Sequence, residues 1–89
     1  MKETWMDRLG LPDESALSQS LVEIAGSSRV LIEHHCGVIG YGCTQVCVRV
    51  KFGMLKVNGA GLELKQMSSE QLIIGGLISS VELFRRENI

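Results

Sequence analysis

The chain has 89 residues and a net charge of −1, which fits one domain and leaves no room for a second core. A domain this small buries only about 60–65% of the surface that its unfolded chain exposes, so self-association would add stability. Nine Lys and Arg residues stand against ten Asp and Glu residues with the signs interspersed, and without a basic block nucleic acid is not an expected partner.

Residues 1–20 are predicted to form a short N-terminal helix and a linker. Trp5 and Leu9 lie one helical turn apart in "ETWMDRLGLPDES", and the helix should end before Pro12 because proline disfavours a helical conformation in the preceding residue. We expect Trp5, Met6 and Leu9 to cap the core. Docking on a partner or a membrane is the less favoured alternative, since interfacial helices are usually longer and more basic.

Residues 21–89 are predicted to form a β domain, because the hydrophobic period changes to two from Val22 onward. In "QVCVRVK", residues 45–51, the three valines point one way and the polar residues the other, as in a half-buried strand. The pattern predicts an all-β fold, a small antiparallel meander or sandwich of six to eight short strands. The clearest strand segments are residues 22–24, 30–34, 46–50, 54–58 and 62–66.

Glycine-containing segments are predicted to form the turns and bends between the strands. The "NGAG" of residues 58–61 contains the Asn-Gly pair typical of tight hairpin turns and is expected to turn one strand back on the next. "FGM" at 52–54 and the polar "QMSSEQ" at 66–71 mark two further breaks. The last apolar stretch should be a covered strand that bends at Gly75 and Gly76 and then continues.

The longest apolar run and the cysteine count indicate a soluble, intracellular protein. The run "LIIGGLI" at residues 72–78 is far below the roughly 18 residues of a transmembrane helix, and no secretion signal opens the chain. Three cysteines cannot form a closed disulfide framework and fit a reducing cytosol. We therefore expect a cytoplasmic protein without a transmembrane segment.

Both histidines and all three cysteines lie within residues 34–47. A structural zinc site would use His34, Cys36, Cys43 and Cys47, but the chain has no CxxC pair of the kind common in such sites. On an extended strand, cysteines four residues apart are about 13 Å apart and cannot share one ion. Zinc binding or thiol redox chemistry is therefore only the alternative hypothesis.

Catalytic motifs are equally weak. The chain lacks a GxSxG elbow, an HExxH helix and a phosphate-binding glycine loop. Cys36 and His35 are sequence neighbours, which point to opposite faces of a strand. Glu33 and His35 share a face and would form an acid–base pair or, more commonly, a structural hydrogen bond. We expect no enzymatic activity.

Three short patterns carry a family resemblance: "IE.H.G" from Ile32, "G.LKV.G" from Gly53 and "E.LII.G" from Glu70. In this order and spacing they resemble the YabP/YqfC family of sporulation proteins, and "LGLP" at residues 9–12 resembles the YqfC branch. The similarity covers about residues 9–83. The motif residues are Glu33, His35, Gly37, Gly53, Lys56, Gly59, Glu70 and Gly76.

The resemblance implies a small non-enzymatic protein that has no cofactor and is made in the mother cell of an endospore-forming bacterium. It would lie in the cytoplasm or peripherally at the forespore membrane. Such proteins are often encoded beside a YqfD-type membrane protein, which makes that protein a candidate partner.

We expect this protein to act as an assembly module through protein–protein contact, as a homo-oligomer or with a partner. Exposed strand edges are natural templates for another chain. The strand "QLIIGGLI" at residues 71–78 is the predicted interface. Its candidate residues are Leu72, Ile73, Ile74, Leu77 and Ile78.

Overall fold

A computed structural model describes residues 20–85, which form one antiparallel sheet of six strands and contain no helix. The predicted all-β antiparallel fold is confirmed, whereas the predicted N-terminal helix lies outside the described residues. The strands are β1 (Leu21–Ala25), β2 (Arg29–Glu33), β3 (Val38–Tyr41), β4 (Gln45–Val50), β5 (Gly53–Met67) and β6 (Gln71–Arg85).

The strand order across the sheet is β1-β2-β6-β5-β4-β3. Strands β3 to β6 follow one another as a meander, while the β1–β2 hairpin adds to the far side of β6 through β2. Strands β1 and β3 are therefore the two outermost strands. The central strand β6 pairs with β2 over Gln71–Gly75 and with β5 along nearly its whole length.

The two central strands are 15 residues each, longer than the short strands predicted. The "NGAG" segment is not a hairpin turn: it lies inside β5, whose register against β6 shifts between Asn58 and Gly59 and again between Ala60 and Glu63. Register shifts of this kind are β-bulges, which bend a strand without ending it. As predicted, β6 continues through Gly75 and Gly76; Gly76 has a φ of 133°, and the register against β5 shifts beside it. The strand is not covered throughout, because most of its residues beyond the two glycines are exposed.

The core shows that the sheet folds back on itself at this bend. Residues of β2 and of β4 belong to one buried cluster although β6 and β5 lie between these strands. One half comprises β1, β2, the start of β6 and the end of β5, and the second half comprises β3, β4, the start of β5 and the end of β6. The buried residues are Val30, Ile32, Val46, Val48, Val50, Leu55, Val57, Leu62, Leu72 and Ile74.

The two halves repeat one arrangement. In each half a two-strand hairpin pairs with one long strand, and the turn of the hairpin makes further hydrogen bonds to that long strand beyond the bend. The strands β1, β2 and β6 thus correspond to β3, β4 and β5. Residues 30–32 of β2 occupy the place of residues 46–48 of β4. The equivalent turn contacts are Gly76 N to Ser28 O (3.3 Å) and Ile78 N to Ser27 O (2.8 Å) in the first half, and Gly59 N to Thr44 O (3.0 Å) and Leu62 N to Cys43 O (2.8 Å) in the second.

Candidate functional site

The connection from β2 to β3, residues 34–37, links the two halves of the sheet and holds part of the first sequence pattern. The His34 N–H donates to the carbonyl of Glu70 in the first half (2.6 Å). The Cys36 N–H donates to the carbonyl of Arg49 in the second half (2.7 Å), and the Arg49 N–H donates to the carbonyl of Gly37 (2.8 Å). His34 has a φ of 62°, which is uncommon for a residue other than glycine.

The His35 ring holds this connection in place through both of its nitrogens. Nδ1 accepts the Gly37 N–H (3.0 Å), and Nε2 lies 2.9 Å from the carbonyl oxygen of Ser68 in the β5–β6 turn. Because Nδ1 accepts, the proton of the neutral ring is on Nε2, which donates to Ser68. Both nitrogens are therefore used in structural hydrogen bonds.

Glu33 does not share those hydrogen bonds. Its Oε2 lies 3.5 Å from Nε2 of Gln71, whose Oε1 accepts a hydrogen bond from Gln66 (3.2 Å). Glu33 and His35 therefore do not form the acid–base pair that the sequence suggested, because each side chain contacts different residues. An open depression beside them is lined by Glu33, His34, Ser68, Glu70 and Gln71.

Replacing His35 with alanine should lower the free energy of unfolding by about 1–2 kcal/mol, because the Gly37 N–H and the Ser68 carbonyl lose their partner. His35→Asn should recover part of this loss, since an asparagine oxygen can accept a backbone N–H two residues on. Urea unfolding measures both. His34→Asn is the matched control and should be neutral or stabilising because asparagine tolerates positive φ. Equal losses for all three variants would contradict this role.

Two motif glycines lie at the bend, where the backbones of β5 and β6 leave no room for a side chain. A Cβ at Gly59 would overlap the carbonyl oxygen of Leu77, and one at Gly76 would lie 2.6 Å from the carbonyl oxygen of Gly61. Gly76 also has a φ of 133°, a conformation that side chains rarely adopt. Only glycine fits either position, so these two motif residues shape the fold.

The motif residue Lys56 lies on the outer face of β5. Its Nζ is 4.0 Å from the Glu82 carboxylate and 5.4 Å from the centroid of the Phe84 ring. Both partners lie on β6, where Glu82 is directly opposite Lys56 and Phe84 is opposite Met54, two residues away. Exposed pairs of this kind contribute at most about 1 kcal/mol, so Lys56 is a surface residue that joins two strands.

A comparison with protein-family models matches the YabP family over residues 16–88, which include every strand of the sheet. The chain belongs to the YabP family. Membership indicates a sporulation-related protein, as the resemblance of the sequence patterns implied. Neither the curated proteins nor the solved structures provide a match.

The structure divides the interface residues predicted for this YabP-family chain. Leu72 and Ile74 are fully buried in the core, so they are not available to a partner in the folded protein. Ile78 packs partly against the core. Ile73 is partly exposed on the outer face, and Leu77 is 67% exposed at the bend. The strand also has no free edge over residues 72–75, which excludes edge pairing there.

The cysteines of the YabP-family chain lie in three different places. Cys36 is exposed in the β2–β3 connection, Cys43 is exposed in the β3–β4 turn, and Cys47 lies on the outer face of β4. Cys43 therefore lies in the turn before β4 and does not share an extended strand with Cys47. Within residues 20–85, no three His, Cys, Asp or Glu side chains form a group that could hold a metal ion. The same residues include no helix with the length and hydrophobicity of a membrane span.

Proposed function

We propose that this YabP-family protein is a non-enzymatic sporulation protein of the mother cell that acts by protein–protein contact as an assembly module. The observation that carries the proposal is the set of large apolar side chains left exposed on the folded sheet. Leu77 is 67% exposed and Tyr41 of the outermost strand β3 is 59% exposed. Large apolar side chains exposed at a surface are candidates for contact with another protein.

The edges of the sheet support the same proposal. Among residues 20–85, strands β1 and β3 each pair with one neighbour, and the other side of such a strand can pair with another chain. The β3 edge is short and has a register shift between Val38 and Gly40, a feature that discourages edge pairing. The regular five-residue β1 edge is therefore the better template.

A double substitution of Ile73 and Leu77 by lysine tests this function. Both side chains lie outside the core, so the circular dichroism spectrum and the unfolding midpoint should remain close to wild type. We expect loss of self-association, of capture of the soluble part of the YqfD-type neighbour, or of both, measured by native mass spectrometry. In a sporulating host, the same variant should yield fewer heat-resistant spores.

The matched control replaces two exposed polar residues, Thr44 and Ser79, by lysine. It adds the same charge and should leave association and spore yield unchanged. If the Ile73 and Leu77 variant associates, captures its neighbour and sporulates like the wild type, this surface does not serve assembly.

A further inference from the structure

The internal repeat of the fold allows a comparison of the two outer faces within one molecule. Leu31 of β2 and Ile73 of β6 are paired neighbours on the outer face of the first half, and both are partly exposed. In the second half their places are taken by Cys47 and Lys56, which are also paired neighbours. Because the second half folds with a cysteine and a lysine there, the fold itself does not require two large apolar side chains at these positions.

The charges on β2 are arranged symmetrically about Leu31. Arg29, Leu31 and Glu33 alternate with buried residues and therefore share the outer face. Arg29 is exposed and makes no ion pair with any residue between 20 and 85. Glu33 has one long contact, to Gln71, which leaves acceptor capacity on its carboxylate.

This pattern of opposite charges on either side of an apolar centre is self-complementary. Consider two copies related by a two-fold axis that passes beside Leu31, parallel to the face and perpendicular to the strands. This axis places Arg29 of each copy opposite Glu33 of the other copy. It also stacks Leu31 and Ile73 on their own copies. Glu23, which pairs with Leu31 from β1 at the margin of this face, then lies opposite its own copy. The corresponding row on β4 is Gln45, Cys47 and Arg49, which offers neither opposite charges nor a large apolar centre.

We infer that the outer face of the first half is a homodimer interface, with antiparallel β2 strands stacked face to face and two reciprocal Arg29–Glu33 contacts. This inference deepens the proposed assembly function and rests on it. An isologous contact of this kind closes on itself and gives a dimer without further growth. The face is only four strands, about 19 Å, wide, so we expect weak dimerisation, in the micromolar range typical of small interfaces.

Single charge-reversal substitutions in the full chain test the interface. Dimerisation of each variant is measured by native mass spectrometry and sedimentation equilibrium. Arg29→Glu and Glu33→Arg should each raise the dimer dissociation constant roughly tenfold or more, because like charges then oppose one another twice. A 1:1 mixture of the two variants should form a heterodimer, since each reversed charge meets its opposite. The variant carrying both substitutions should dimerise like the wild type.

Matched substitutions on the second half provide the control. Gln45→Arg with Arg49→Glu changes charge at the equivalent positions and should leave the dimer unchanged, as should Cys47→Lys. Leu31→Lys should abolish the dimer. The interface would be wrong if the single charge-reversal variants dimerised like the wild type. It would also be wrong if the wild-type chain stayed monomeric even at 100 times the protein concentration used for the variants. Such a monomer that still captured the YqfD-type neighbour would leave the proposed function standing.

Discussion

Replacing Ile74 with alanine should lower the free energy of unfolding by about 2–5 kcal/mol, whereas Ile73→Ala should lower it by less than about 1 kcal/mol. The two residues are adjacent in β6 but face opposite ways: Ile74 is fully buried in the core, and Ile73 is partly exposed on the outer face. Removing a buried side chain loses its transfer free energy and leaves a cavity, since the neighbours relax only partly.

Urea unfolding of the two variants beside the wild type measures this difference. A small domain has a total stability near the lower end of about 5–15 kcal/mol, so Ile74→Ala should be partly unfolded without denaturant. The matched substitution removes the same atoms one residue away, which excludes strand propensity as the cause. Equal losses at the two positions would mean that both faces of β6 are covered to the same extent.

Replacing Gly59 with alanine should destabilise the fold by about 3–5 kcal/mol, a large effect for one added methyl group. A Cβ there would overlap the carbonyl oxygen of Leu77 and lie 3.1 Å from a side-chain carbon of Leu62. Because the first of these atoms belongs to the backbone, relief requires β5 and β6 to separate at the bend. Thermal and urea unfolding should both show the loss.

Gly40→Ala is the control for Gly59→Ala. Gly40 also lies in a strand, but its added Cβ would be 3.9 Å from the Cβ of Cys47, which is ordinary van der Waals contact. We expect a change within about 1 kcal/mol. If Gly59→Ala were as mild, the Asn58-Gly59 pair would behave as the exposed hairpin turn that the sequence predicted, and the continuous β5 strand would be wrong.

Much of the fold follows from local pattern. The alternation of valines in β4 predicts which face is buried, because successive side chains on a strand point to opposite sides. The polar break before Gln71 likewise precedes β6, and β6 continues through both glycines as predicted. Asn58-Gly59 was misinterpreted, since the same dipeptide suits a hairpin turn and a bulge, and only continued pairing with β6 distinguishes them.

The candidate site was predicted less well, for a related reason. Periodicity cannot tell an apolar strand covered on both faces from one that offers a face to a partner. All five apolar residues of 72–78 therefore seemed equally suited to an interface, although Leu72 and Ile74 belong to the core. The charge symmetry of Arg29 and Glu33 about Leu31 is visible in the sequence, but it gains meaning only beside the equivalent strand β4.

The sequence by itself determined the all-β class, the alternation of each strand and the family, because these depend on side-chain order and on patterns within short segments. Only the tertiary structure decided that two long strands bend together, that His35 links the β2–β3 connection to the β5–β6 turn, and which apolar residues remain exposed. These features depend on contacts between residues far apart in the chain, such as His35 with Ser68. Local pattern contains no information on which distant segment covers a given face.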